Sequence, residues 1–232
     1  RMLEPHELVS LCTEPAKPAL LAGKTITITA GPTREPLDPV RFISNHSSGK
    51  MGYALAQAAL SFGAHVNLIS GPVTISAPQG VNLINIESAE QLLHESLKYA
   101  PHSDAFIGCA AVADYRAASI ATQKMKKQGD ELTLSLVKNP DVIAAVANLT
   151  QNRPYTVGFA AETQNVANYA KGKLTNKNLD MICANDVSHN DVGFNSERNA
   201  LTLYWQNEQL DLPETSKIEI AVKVIEQLAK RL

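Results

Sequence analysis

Thr25-Ile26-Thr27-Ile28-Thr29-Ala30-Gly31-Pro32-Thr33-Arg34-Glu35-Pro36-Leu37-Asp38-Pro39-Val40-Arg41-Phe42-Ile43-Ser44-Asn45-His46-Ser47-Ser48-Gly49-Lys50-Met51-Gly52 is the stretch that decides the fold. Its first six residues read as a buried strand, and Tyr53 to Phe62 continues it as a helix. A strand, a loop and a helix N-terminus make a ready anion site, because helix-end N–H groups and the macrodipole face the ligand. The loop is longer than a glycine-rich dinucleotide turn and carries Arg34, Arg41, Asn45, Ser47 and Ser48. Loops that long in a compact domain are usually functional or disordered, and the regular Pro, Gly and polar punctuation favours function.

Outward from this stretch, short apolar runs alternate with helical patterns. Strands are expected at Thr25–Ala30, His65–Ser70, Val81–Ile86, Asp104–Val112, Thr156–Ala161, Met181–Asn185 and Ala200–Trp205. Helices are expected at Lys50–Phe62, Ala89–Tyr99, Asp141–Leu149, Val166–Asn178 and Thr215–Leu232. Ser88 and Gln91 match a capping box before the second helix. In the last, Ile218, Val222, Ile225 and Leu228 form an apolar stripe, with Lys217, Lys223 and Lys230 outside it. Near-continuous apolar strands alternating with helices predict an α/β fold: a Rossmann-like, doubly wound, mostly parallel sheet.

Two insertions interrupt the alternation. Lys124–Val137 reads as a hairpin or flap: a basic cluster, a turn at Gln128-Gly129-Asp130, then alternating Leu132, Leu134 and Leu136. Strand alternation there would put Lys124 and Lys126 on one side and Lys127 on the other. Asp191–Pro213, containing Gly193-Phe194-Asn195 and a turn at Gln206-Asn207-Glu208, reads as an edge hairpin able to pair with a second subunit. Residues 1–23, with three prolines and little periodicity, read as a linker or arm.

Composition narrows the function. The 232 residues are 44% hydrophobic and 19% charged, an ordinary globular balance. A net charge of −2 provides no global attraction for nucleic acid or an anionic membrane, so any phosphate recognition is local. Cys12, Cys109 and Cys183 fit neither a disulfide framework nor a metal site, and the last two read as buried packing residues. No segment reaches the roughly 18 consecutive apolar residues of a membrane span, and no signal peptide is evident, so a cytoplasmic location is expected. The start at Arg1 is that expected of a piece of a longer polypeptide.

In open α/β sheets, ligands bind beyond the carboxyl ends of the strands. Those ends carry Gly31–Lys50, Gly71-Pro72, Gly108–Arg116, Gly158–Thr163 and Ala184-Asn185-Asp186, where small residues sit beside Asp, Asn and Thr. Ser48-Gly49-Lys50-Met51 is no P-loop ending, because Met51 replaces the Mg²⁺-binding Ser/Thr and position 44 is Ser. No G-x-G-x-x-G follows the first strand. Tyr169 and Lys173 match a Y-x-x-x-K pair, the basis of an alternative reading as an NAD(P)-dependent Rossmann-type reductase. His46 is the one histidine in these loops and reads as a loop residue. Lys173 and Lys177 lie one helical turn apart, placed to meet a triphosphate as point charges.

Ala30–Arg41, Ser44-Asn45-x-Ser47-Ser48-Gly49-Lys50-Met51-Gly52, Ala110-Ala111-Val112-Ala113-Asp114, Lys124-x-Lys126-Lys127 and Lys138-Asn139-Pro140-Asp141 together resemble bacterial phosphopantothenate–cysteine ligase. The resemblance covers about residues 24–230. It implies joining of 4′-phosphopantothenate to L-cysteine through an acyl-cytidylate, with CTP and Mg²⁺ (or Mn²⁺), in coenzyme A biosynthesis. It further implies fusion to a flavin-dependent decarboxylase that holds FMN in its own domain, with residues 1–23 as the interdomain segment and 24–232 as the ligase domain. By the same resemblance Asn45 holds the reacting carboxylate and acyl group, with Arg41 supporting the second step and Ala111 beside the substrate. Lys124 stabilises phosphate during activation. Gly108, Cys109, Ala110, Asp114, Lys124, Pro140, Asp141, Val142, Ile143, Phe159, Lys173 and Lys177 make up the nucleotide site. Homodimers are implied to form through added β-structure at residues 191–213.

Overall fold

A single open sheet carries the site at one of its ends. The computed structural model describes residues 19–126, 129–162, 164–186, 196–206 and 208–232. Residues 1–18 with Cys12, Lys127 and Gln128, Thr163, residues 187–195 with Gly193-Phe194-Asn195, and Asn207 therefore lie outside the described residues. The elements in chain order are β1 (Thr25–Ala30), β2 (Glu35–Pro36), β3 (Phe42–Ile43), α1 (Lys50–Ser61), β4 (His65–Ser70), β5 (Asn82–Asn85), α2 (Ala89–Tyr99) and β6 (Ala105–Gly108). They continue as β7 (Tyr115–Ala117), β8 (Leu136–Lys138), α3 (Val142–Ala147), β9 (Tyr155–Glu162), α4 (Val166–Asn176), β10 (Met181–Asp186), β11 (Arg198–Trp205), β12 (Glu208–Ser216) and α5 (Lys217–Ala229).

Among the described residues the main sheet has eight strands in the order β12-β11-β10-β9-β6-β1-β4-β5. All pairs from β5 to β10 are parallel, and β11 and β12 join antiparallel. The chain leaves β1 toward β4 and β5, then returns to β1's other side with β6. The strand order thus reverses between β1 and β6, where a crevice opens beyond the carboxyl ends.

Central β1 alternates Ile and Thr, which by periodicity alone reads as half-solvated. Instead Ile26 and Ile28 are buried on one face and Thr27 and Thr29 on the other. The threonine hydroxyls are satisfied, Thr27 Oγ1 with Ser103 Oγ at 2.7 Å, and Thr29 Oγ1 accepting from the Ala110 N–H at 3.2 Å. α1 and α5 cover the face carrying Ile26, Ile28, Leu68 and Met181. α2, α3 and α4 cover the other through Leu92, Val146 and Leu174. Leu21, from the segment read as an arm, is buried in the first of these layers, its N–H donating to Phe62 O.

Four expectations change. β6 stops at Gly108 instead of Val112, because the chain then turns to pair with the loop after β1: Ala111 N donates to Gly31 O, and Thr33 N to Ala111 O. The flap's paired strands are β7 and β8, not two arms within 124–137. Lys124 and Lys126 lie in irregular backbone, so no strand alternation sorts them, and Leu132, 63% exposed, has no sheet face to cover. On α5 the buried stripe is Lys217, Ile220, Ala221, Val224, Ile225 and Leu228, while Ile218 is 68% exposed. The helix is rotated relative to the expected stripe, which brings Lys217 inside. No helix among the described residues is long and apolar enough to cross a membrane.

Candidate active site

The loop after β1 is built, not open. β2 and β3 close it into a small antiparallel pair. Buried Glu35 accepts the Ala89 N–H at 3.0 Å, placing a carboxylate at the N-terminus of α2. The expected capping box is present there: Ser88 Oγ accepts from Gln91 N, and Gln91 Oε1 from Ser88 N. Asn45 Nδ2 donates to Ala111 O at 2.6 Å, while its Oδ1 accepts from Ser47 N at 3.1 Å. That side chain therefore ties the loop after β1 to the loop after β6 at the point of strand reversal. Gly49, at φ 78°, adopts the left-handed conformation that starts α1.

Two adjoining cavities open here. The first, of about 210 Å³, is lined by Gly108, Ala110, Asp114, Lys138, Asn139, Pro140, Asp141, Val142, Ile143, Phe159, Lys173 and Lys177, among others. The second, of about 380 Å³, takes in Asn45, Ser47, Gly49, Lys50, Cys109, Ala111, Asn185, Asn199 and Lys217. Ala110, Val112, Asp114 and Phe159 line both. Gly108 has no room for a side chain: a Cβ there would meet Ile143 Cδ1 at 2.6 Å.

Two lysines of the first cavity are held in ion pairs. Lys173 Nζ meets Glu162 at 2.6 Å, and Lys177 Nζ meets Asp141 at 2.9 Å. Asp141 also caps α3, accepting from Ala144 N at 3.1 Å. Buried Asn139 holds the β6 loop through its Nδ2 bond to Ala113 O and receives Arg116. Tyr169 lines neither cavity and is 46% exposed, so the Tyr169/Lys173 pair is not brought together in the cleft.

Two expected residues lie apart from both cavities. Arg41 is locked to the Asp38 carboxylate through Nε at 3.0 Å and Nη2 at 2.6 Å, and Nη2 also donates to Met125 O. Asp38, its side chain wholly shielded, further accepts from Val40 N, Arg41 N and Met125 N. The Arg41 guanidinium first, then these N–H donors, hold the Asp38 carboxyl well below the usual carboxylate range despite its burial. This clip sets the backbone beside Lys124, whose side chain is exposed and reaches neither cavity. His46 is exposed, as a loop residue.

Of the two cysteines expected to be buried, Cys183 is fully so, whereas Cys109 is half-buried and lines the second cavity. Burial pushes the Cys109 thiol up to about 12, which leaves it a poor nucleophile. Two lining residues had no individual signal in the sequence: Asn199, which is 4% exposed, and Lys217. Nothing local could have marked Lys217, since its inward aim depends on the rotation of α5.

The chain's residues 21–232 match the family described as the DNA/pantothenate metabolism flavoprotein C-terminal domain. It is 56% identical over 230 residues to the coenzyme A biosynthesis bifunctional protein CoaBC of Vibrio parahaemolyticus, covering 98% of this chain and 58% of that protein. Against the Escherichia coli K12 protein of the same name it is 51% identical over 235 residues, covering 100% of this chain and 58% of the other. The chain thus spans well under two thirds of these relatives. Its fold is similar to the crystal structure of a CoaBC C-terminal domain, with TM-score 0.79 and 38% identity over 92% of this chain and 97% of the other. A Cab2 mutant in complex with phosphopantothenate-cysteine shares the fold at TM-score 0.75 but only 15% identity, over 97% of this chain and 91% of that one. With the crevice lying at the β1/β6 reversal of a sheet shared with these proteins, the chain belongs to the family of DNA/pantothenate metabolism flavoprotein C-terminal domains.

Proposed function

We propose that this domain ligates 4′-phosphopantothenate to L-cysteine with CTP, through an acyl-cytidylate, as one half of a bifunctional coenzyme A biosynthesis protein. The observation that carries it is the pair of cavities joined along Ala110, Val112, Asp114 and Phe159. A two-step condensation needs a nucleotide and an acyl chain held end to end, so that carboxylate and α-phosphorus meet at a shared wall. The relatives' role in coenzyme A biosynthesis, and the phosphopantothenate-cysteine held by the structural neighbour, match that chemistry.

In the first step a carboxylate oxygen attacks the α-phosphorus of CTP; a P–O bond forms and pyrophosphate leaves with the electrons of the bond that breaks. Lys173 and Lys177 would turn from Glu162 and Asp141 to the departing phosphates, and Lys124 would close over them from the Asp38–Arg41 clip. In the second step the cysteine amine attacks the acyl carbon, a C–N bond forms, and CMP and a proton depart. Asn45 would orient the acyl oxygen, and Arg41 would leave its clip with Asp38 to support it there. The Asn45 Nδ2 donor exchanges Ala111 O for the substrate. No protein nucleophile takes part, consistent with the raised Cys109 thiol.

Mg²⁺ or Mn²⁺ would enter as the metal complex of CTP. Among the described residues no group of three or more His, Cys, Asp or Glu side chains stands ready to hold a resident ion. Homodimerisation through 191–213 belongs to the same reading, with β12 the edge strand available for pairing. The test is pyrophosphate release by the chain. Release that requires both 4′-phosphopantothenate and CTP is expected, and Lys124→Gln should slow it without altering the unfolding midpoint. NADPH binding without CTP binding would instead favour the reductase, and product formation by Asn45→Ala at the wild-type rate would remove Asn45 from the mechanism.

A further inference from the structure

The two lysines of the first cavity are paired with carboxylates that differ in what else holds them. Asp141, the partner of Lys177, caps α3 by accepting from Ala144 N at 3.1 Å, and its side chain is 41% exposed. When Lys177 turns to a phosphate, that N–H and water still compensate Asp141. Glu162, the partner of Lys173, ends β9, and its side chain is only 17% exposed. Among the described residues Lys173 is its one hydrogen-bond partner, at 2.6 Å. A carboxylate drawn largely out of water loses most when its single cation departs. Glu162 would then also face the phosphates that took the lysine, charge against like charge. Lys173 lies in the last turn of α4, with a flexible stem that lets its ammonium swing between the two anions.

We propose that Glu162 is a built-in competitor of the polyphosphate: it holds Lys173 while the cavity is empty, yields it to CTP, and takes it back as pyrophosphate leaves. The assignment rests on the ligase reading above and deepens it. The competition weakens CTP and pyrophosphate alike, because both must draw Lys173 away from Glu162. CTP keeps its base, ribose and α-phosphate to hold it in place, whereas pyrophosphate has only the lysines. Glu162 therefore acts chiefly on product release, keeping the departing anion from lingering on the cations that stabilised its formation. It is a positioning residue, acting through Lys173 and touching no reacting atom. The Lys177–Asp141 pair has less leverage, since Asp141 keeps its cap and its water when the lysine moves.

The test is calorimetric binding of inorganic pyrophosphate, with Mg²⁺, to the 232-residue chain and to its Glu162→Gln variant. Gln keeps the shape and can still accept from Lys173, but carries no charge. The Kd of pyrophosphate should fall about 5- to 20-fold, less than for a fully desolvated charged pair because Lys173 is partly exposed. The Kd of CTP should fall with it, while that of CMP, which lacks the two terminal phosphates, should move by less than about twofold. In a Lys173→Gln background the gain from Glu162→Gln should shrink to less than about threefold, since the contested lysine is gone. Unchanged pyrophosphate binding in Glu162→Gln would overturn the assignment. Weaker binding would overturn it as well, making Glu162 a group that orients Lys173 toward the phosphates. An equal gain in both backgrounds would do the same, reducing Glu162 to simple repulsion. A wild-type chain that binds pyrophosphate and CTP but releases no pyrophosphate when 4′-phosphopantothenate is added would refute the ligase reading while leaving the Glu162 comparison measurable.

Discussion

Gly52→Ala sets two physical effects against each other at the entrance to the site. Gly52 is the third residue of α1, where that helix crosses the end of β1. A Cβ built there lies 2.5 Å from Ala30 Cβ, 3.1 Å from Ala30 Cα and 3.2 Å from Thr29 O. Carbon atoms rest at about 3.5–4.0 Å, so the start of α1 must retreat by roughly 1 Å or more. Replacing Gly by Ala within a helix otherwise gains about 1 kcal/mol. Overpacking a tight contact costs about 1–3 kcal/mol, and here the opposing atoms are backbone and a methyl with no rotamer to change. With nothing able to turn aside, the cost should fall at the upper end, about 2–3 kcal/mol, so overpacking should win with a net destabilisation of about 1–2 kcal/mol, or about 2–8 °C in Tm for a domain of this size. Denaturant unfolding of Gly52→Ala, Ala30→Gly and the double variant measures this directly. The double variant should be more stable than the sum of the singles by at least about 0.5 kcal/mol, because Ala30→Gly removes the methyl in collision. Gly52→Ala as stable as wild type, or an additive cycle, would refute the close-approach account. Because Gly49, Lys50 and Met51 line the second cavity, the same variant should weaken phosphopantothenate binding more than CTP binding.

Lys177→Gln should raise the KM for CTP by about 10-fold or more, the order expected for one charge–phosphate contact. It should change stability by under about 1 kcal/mol, since the Lys177–Asp141 pair is 32% and 41% exposed; an unchanged KM would exclude Lys177 from the nucleotide site. For Asp38 the folded carboxyl titrates below its unfolded value, so its contribution is fully present above the ordinary carboxylate pKa of 3.8 and is lost as the pH falls below it. Limited proteolysis at residues 121–126 should therefore stay slow down to about pH 4 and accelerate only beneath it, whereas Asp38→Asn should be cut rapidly at neutral pH. With its thiol near 12, Cys109 should resist alkylation at pH 8 in the native protein and react after unfolding; prompt native labelling, read by mass spectrometry, would contradict the burial argument.

Much of the scaffold was legible from local pattern. β1 and β4 run from Thr25 to Ala30 and from His65 to Ser70, and α2 from Ala89 to Tyr99, as the periodicity and the capping box predict. The parallel sheet followed from apolar runs alternating with helical ones. Legibility failed where neighbours in space outvoted neighbours in sequence. Gly108 ends β6 because the next residues find hydrogen-bond partners in the loop after β1, not because of their own propensities. Leu132, Leu134 and Leu136 alternate as a strand would, but only Leu136 enters a ladder, the short pairing of β8 with β7. Site residues divide the same way. Asn45, Ala110, Asp114, Phe159, Lys173 and Lys177 follow strand ends and do line the crevice. Arg41 and Lys124 carry the same kind of sequence signal and lie outside both cavities, tied together through Asp38 and Met125.

By itself the sequence determined the order of strands and helices and the strand ends that carry the site, because hydrophobic period, caps and glycine placement act within a few residues. Only the tertiary structure decided that the chain reverses direction across the sheet between β1 and β6, and so that the loops after those strands face each other through Asn45 and Ala111. It decided equally that α5 turns Lys217 inward and Ile218 outward. The physical reason is common to both. A helix face or a strand end acquires its meaning from whatever packs against it, and those partners stand many tens of residues away in the chain.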